Sequence, residues 1–374
     1  MVQFVRYVFP PLFETLQATY GVSNTQTGLL FTLLMLGYST AQLPAGVLGD
    51  RFGEPRVILG GVGLFATAAV GAFLAPTFAL LTLAAVLIGV GTGVHKTVAI
   101  PYLSKEYPER TGLALGVMDT IGQFGGIVAP VVVVALLASP LHWGVVFVLI
   151  TAVSLGLGLL FFSSASSSAT SRPGDGQGAG DGDGDPGIRA YLSIFTDRKL
   201  VAFLVVTTLF TFVWNGIASF FPLFLATEKG LSSDMAGLAY SLLFVASLSQ
   251  LVTGDVSDRF GRLRVALLLF VLMILGLSLI VLAQGLVVLL VLTVVMGIGL
   301  HGFRPVRDSY LMDLIPSSVG GGTLGIVRTV MTVIGALSPV IVGYFSDTVG
   351  FVAAFVVLIA VLVCATALVA VLKE

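Results

Sequence analysis

The stretch Gly46-Val-Leu-Gly-Asp50-Arg51-Phe52-Gly53-Glu54-Pro55-Arg56 returns 208 residues later as Gly254-Asp-Val-Ser-Asp258-Arg259-Phe260-Gly261-Arg262-Leu263-Arg264. Further along, Gly89, Gly91, Tyr102 and Pro108 recur at the same offset as Gly297, Gly299, Tyr310 and Pro316. Two separate patterns kept in one register mark an internal duplication. The chain is therefore expected to consist of two related halves. In each half the charged cluster follows a long apolar run, which places it at the end of a membrane span.

Outward from that repeat, the 374 residues are 57% hydrophobic and only 10% charged, against roughly 25% charged in a soluble domain. Apolar runs long enough to cross about 30 Å of hydrocarbon as a helix recur throughout. Breaks at Gly, Pro and charged residues divide them into twelve predicted spans. The first half holds 1–19, 25–48, 57–75, 78–103, 110–138 and 142–162, and the second 199–226, 233–256, 264–283, 286–312, 319–346 and 349–371. This excludes a soluble enzyme with one large core. A net charge of −1 with no basic stripe excludes nucleic acid as a partner. The expected partners are the lipid bilayer and a small-molecule solute.

The domain reading is a bundle over 1–162, a linker over 163–198 and a bundle over 199–374. Ser163 to Gly187 is Ser, Gly and Asp with almost no apolar residue, so it is expected to be disordered. Asp181, Asp183 and Asp185 imitate a calcium loop, but Pro186 and Leu192 stand where that loop needs Gly and Glu. The single cysteine, Cys364, rules out a disulfide framework or a thiolate metal site. No metal and no cofactor is implied.

Arg51, Arg56, Lys105, Arg110, Arg172, Arg189, Arg198, Lys199, Arg259, Arg262 and Arg264 all fall in alternate loops, with Lys229 alone in the opposite set. Cytoplasmic loops carry the excess of Lys and Arg. Both termini and the linker are thus expected in the cytoplasm, with the protein in the cell membrane as a monomer.

The repeated Gly-x-x-x-Asp-Arg-x-Gly-x-x-Arg resembles the signature loop of major facilitator transporters, and the likeness covers essentially the whole chain. It implies an all-α polytopic fold: two six-helix bundles related by a pseudo-twofold axis along the membrane normal. It also implies a secondary transporter working by alternating access and coupled to protons or another ion. On that reading Gly46, Asp50, Arg51, Gly53, Arg56, Gly254, Asp258, Arg259, Gly261, Arg262 and Arg264 form cytoplasmic gating loops, with Glu106 or Glu109 as charge partners. Glu54 and Pro55 depart from the pattern and are expected to weaken the first loop. The repeat also maps the start of the seventh span, near Lys199, to about ten residues before Met1, so the first helix is expected to be truncated.

Ionisable groups at the bilayer centre cost at least about 2.5–3.5 kcal/mol each, so each needs a partner, water or a purpose. Arg6, Glu14, His95, Lys96, Asp119, Arg304, Arg307, Asp308 and Arg328 lie within spans. Lys96 pairs with Arg304 in the repeat, Asp119 with Arg328, and Arg6 falls near Asn215. By resemblance the first and fourth spans of each half line the central cavity, while the second and fifth pack the halves together and also border it, with Asp119 and Arg328 on the flanks. Arg6, Lys96, Asn215, Arg304 and Arg328 are therefore the substrate-binding candidates, and their excess of positive charge points to an organic anion. Replacing Arg6 or Arg328 by Gln is expected to abolish anion uptake. Asp119, Glu14 and His95 are the proton-coupling candidates. The spacing of His301, Arg304 and Asp308 predicts an ion pair between the last two, and Arg307 is expected to snorkel to the headgroups.

Two alternatives stay open. The fifth span carries a degraded antiporter motif at Gly116, Gly125, Ala129 and Pro130, as in efflux members of the same fold. A non-transporting membrane sensor is the reading from another class. A membrane enzyme is disfavoured because His95, His142 and His301 are scattered.

Overall fold

The computed structural model describes residues 1–169, 196–315 and 320–373, and they are almost wholly helical. Helix α1 is broken into Val2–Tyr7, a 3-10 turn at Pro10–Leu12, and Phe13–Tyr20. The first half continues with α2 (Asn24–Phe52), α3 (Glu54–Phe73), α4 (Phe78–Glu106), α5 (Thr111–Leu137) and α6 (Val145–Ala169). The second half holds α7 (Arg198–Thr227), α8 (Ser233–Val245 and Gln250–Phe260), α9 (Arg262–Leu282) and α10 (Leu286–Leu314), then α11 (Gly320–Gly335 and Ser338–Thr348) and α12 (Phe351–Lys373).

Eleven of the described helices are long and apolar enough to cross a membrane. The remaining predicted span is α1, interrupted because Pro10 and Pro11 lack the N–H groups an unbroken helix requires. Residues 170–195 and 316–319, with Asp181, Asp183, Asp185 and Pro316, lie outside the described residues. Within the expected linker, Ser163 to Ala169 continue α6, a correction at its first end.

The duplication is visible in the packing. α2 packs on α4 as α8 packs on α10, α3 on α6 as α9 on α12, and α1 on α5 as α7 on α11. Between the halves α2 meets α11 and α5 meets α8. A shift of six helices exchanges those two contacts, as a pseudo-twofold axis requires.

The repeated signature is mostly helix rather than loop. α2 runs through Asp50 and Arg51, and only Gly53 (φ 84°) separates it from α3; Gly261 (φ 93°) does the same between α8 and α9. A side chain with a Cβ is strained at such φ, which is why glycine closes both turns. The expected charge partners also differ. Glu54, expected to weaken the network, pairs with Lys105. Arg259 pairs with Asp255 at 3.0 Å, and Arg262 joins Asp258 at 3.4 Å to Asp313. All these pairs stay within one half. Asp50, Arg51, Glu106 and Glu109 have no ion pair among the described residues.

The halves touch at the end away from this basic face. The Asp347 carboxylate of α11 accepts from the backbone N–H of Asn24 (3.1 Å) and Thr25 (2.7 Å) and from the Thr25 hydroxyl (2.6 Å). It thereby satisfies N–H groups that the first turn of α2 leaves free. A Cβ on Gly343 would run into the Asn24 carbonyl, and one on Gly28 into the Pro339 carbonyl. The Ser233 hydroxyl of α8 donates to Glu14 of α1 at 2.7 Å. Near the basic end α5 and α8 separate, leaving Phe124 56% and Leu251 77% exposed.

Candidate functional site

Between the separated helices lies a cavity of about 690 Å³. The first half contributes Gln3, Lys96, Asp119 and Gln123, and the second Trp214, Gln250, Arg304, Arg307 and Asp308. On α10, Pro305 removes the N–H that would bond the His301 carbonyl, with Arg304 directly before it and Arg307 and Asp308 just after.

Arg304 is partly buried, and its guanidinium lies over the Trp214 ring at 4.4 Å. Stacking holds the group by its face and leaves the N–H fork in its plane available. No carboxylate pairs with it among the described residues. The predicted Arg304–Asp308 pair is absent. Asp308 instead takes its neighbour Arg307 at 2.8 Å, because the stack on Trp214 holds Arg304 away. Arg307 therefore does not snorkel but is spent on this pair.

The remaining candidates divide by position. Lys96 and Asp119 pair at 3.2 Å on the cavity wall. Arg6, 8% exposed, lies over Tyr38 at 4.2 Å, with one N–H donated to Gln3 at 2.7 Å and its Nε unpartnered. Arg328 sits on α11 off the wall, yet its charge reaches Asp308, as does that of Lys96. Asn215 is buried behind the cavity, donating to the Thr211 carbonyl at 3.1 Å with Gly335 packed on its amide. Glu14 belongs to the closed end. With Lys96–Asp119 and Arg307–Asp308 each neutralised, Arg304, Arg6 and Arg328 leave the region positive.

His95 faces a different space, an apolar cavity of about 670 Å³ with Met1, Val62, Tyr102 and Phe161 among its walls. The matching place in the second half is filled by Leu200, Phe203 and Val206 of α7, with Phe203 against Tyr310 and Phe303. Tyr102 and His95 are the repeat counterparts of those last two.

Trp214 and Tyr38, on which the two arginines rest, are absent from the sequence candidates. The available signal was an aromatic ring directly before Asn215 in the span facing Arg304. Tyr7, Trp214 and Phe244 further form a cluster across the two halves, with centroids 4.5–6.5 Å apart.

The Lys96–Asp119 pair gives a clean separation of stability from function. Its side chains are 43% and 61% exposed, and ion pairs that open contribute less than about 1 kcal/mol. Asp119→Asn should therefore melt within about 3 °C of the parent when followed by fluorescence in detergent. A larger fall would show that the pair holds the fold.

The profile of the Major Facilitator Superfamily matches residues 1–247 and 203–374. A "Probable 4-methylmuconolactone transporter" of Cupriavidus pinatubonensis is 25% identical over 92% of this chain and 80% of its own length. The hexuronate transporter of Bacillus subtilis is 24% identical over 63% of this chain and 56% of its own. The uncharacterised MFS-type transporter Rv1250 of Mycobacterium tuberculosis is 34% identical over 30% of this chain, a match spanning 20% of that relative's length. Among solved structures, a bacterial homologue of the human lysosomal transporter Spinster, inward-facing and occupied, superposes with a TM-score of 0.83 at 18% identity, covering 100% of this chain and 94% of that one.

Proposed function

Because the chain belongs to the Major Facilitator Superfamily, we propose that its cavity carries a small organic anion across the cell membrane by alternating access, coupled to protons. The observation that carries this reading is Arg304, a guanidinium stacked on Trp214 in the cavity with no carboxylate paired to it among the described residues. A planar cation in that state recognises a carboxylate through paired N–H···O bonds. The low dielectric around it favours an anion over a neutral solute. Hexuronate, the solute named for one relative, is such an anion.

With the basic face in the cytoplasm, the cavity opens inward and the contacts of Asp347 and Glu14 close the outer end. Alternating access then parts α2 from α11 and α5 from α8 at that end. Of the three proton-coupling candidates only Asp119 lines the cavity. Both termini are cytoplasmic on this reading, and one chain is the transporting unit.

Counterflow in proteoliposomes tests it. Vesicles loaded with D-glucuronate, D-galacturonate or 4-methylmuconolactone should accumulate the labelled solute several-fold above protein-free vesicles, for at least one of the three. Exchange of glucose but of none of these acids would contradict the reading.

A further inference from the structure

His301 of α10 is 0% exposed, and neither ring nitrogen has a hydrogen-bond partner. Buried polar atoms are nearly always paired, and leaving one unpaired costs about 1–3 kcal/mol. An apolar side chain would be cheaper here if shape were all that mattered. The imidazole is shut in by Trp214 at 4.9 Å and Phe244 at 5.8 Å, both edge-on. Tyr7 completes that wall from the other half, 4.5 Å from Phe244 between ring centroids. The seam that hides His301 is thus one that alternating access must part.

We propose that His301 carries the coupling proton and that an anion held by Arg304 is what admits it. This rests on the reading of Arg304 as the anion site. Arg304 is one helical turn away on the same helix, and two positive charges at that spacing repel. The other facing groups supply no counter-charge: Trp214 from α7, and Phe244 and the Leu243 carbonyl (outside hydrogen-bond geometry) from α8, while from α1 Tyr7 packs on Trp214 and Arg6 adds a further positive charge near Arg304. A carboxylate bound at Arg304 removes the opposition. By reciprocity each ligand raises the affinity for the other equally, so anion and proton travel in the same direction. When the wall parts, the lone pair of the unprotonated ring nitrogen takes a proton from hydronium, forming N–H as an O–H bond breaks. On the far side the N–H bond breaks and water receives the proton.

The experiment compares the reconstituted wild type with His301→Gln, using whichever acid of the counterflow panel exchanges. An inward-directed proton gradient should drive accumulation by the wild type. The variant should lose that accumulation at least tenfold while keeping exchange at equal pH. Gradient-driven accumulation equal to wild type overturns the role of His301 and leaves the anion reading standing. No exchange of any panel acid by the wild type overturns both. A second measurement does not depend on the variant folding. Adding that acid to unbuffered wild-type protein in detergent should raise the pH as protons are taken up, and an absence of uptake overturns the proposal.

Discussion

Arg304→Gln should lower initial uptake of the transported anion by roughly 10- to 100-fold, because hydrogen bonds to a charged group contribute about 1.5–3 kcal/mol and every 1.4 kcal/mol is tenfold. The loss is one of recognition, since Arg304 has no ion pair among the described residues whose removal would leave a buried charge behind. Arg304→Lys should recover part of the rate: it keeps the charge but not the planar fork or the stack on Trp214. Arg6→Gln and Arg328→Gln should cost less, as neither side chain lines the cavity. Initial rates in proteoliposomes at matched protein content measure the order. Equal losses at all three would mean that a diffuse positive field, rather than one guanidinium, selects the solute.

Closure of the far end should fail outright in Gly343→Leu. A Cβ at position 343 would lie 3.0 Å from the Thr25 Cα and closer still to the Asn24 carbonyl, so a leucine there pushes α2 away from α11. Asp347→Asn acts at the same seam without a clash. It weakens three hydrogen bonds to the start of α2, each worth about 1.5–3 kcal/mol while the acceptor is charged. Losing the equivalent of one of them shifts the open-to-closed ratio by on the order of 10- to 100-fold. Spin labels on Thr19→Cys and Asp234→Cys, in a Cys364→Ser background, span the groove between α1 and α8. The label distance should lengthen in both variants, and fully in Gly343→Leu. An unchanged distance would show that this seam does not hold the closed end.

The two halves were legible because the repeat fixes them independently of any solvent argument: Gly53 and Gly261 sit at equivalent turns for the same steric reason. Span ends were legible within a few residues, since charge and glycine mark them. Rotation about each helix axis was not. A span packed between lipid and protein meets apolar surroundings on both sides, so no polar–apolar contrast reveals which way it faces. Adjacent residues differ by about 100° around the helix, and His95 and Lys96 accordingly face different cavities. Asp308 chose Arg307 over Arg304 because an aromatic ring from α7 competes for Arg304, a contact between helices that spacing within one helix cannot show.

Trp214 gives the most direct test of the central claim, that an organic anion binds at Arg304. The chain has two tryptophans, and Trp143 stands apart from the cavity beside Tyr20 and Phe147. In Trp143→Phe the fluorescence therefore reports Trp214 alone. Titration with the transported acid should change it saturably, more weakly as salt rises, with no response to glucose. The response should vanish in Trp143→Phe/Arg304→Gln. A signal that glucose reproduces, or one that survives loss of Arg304, would contradict the account.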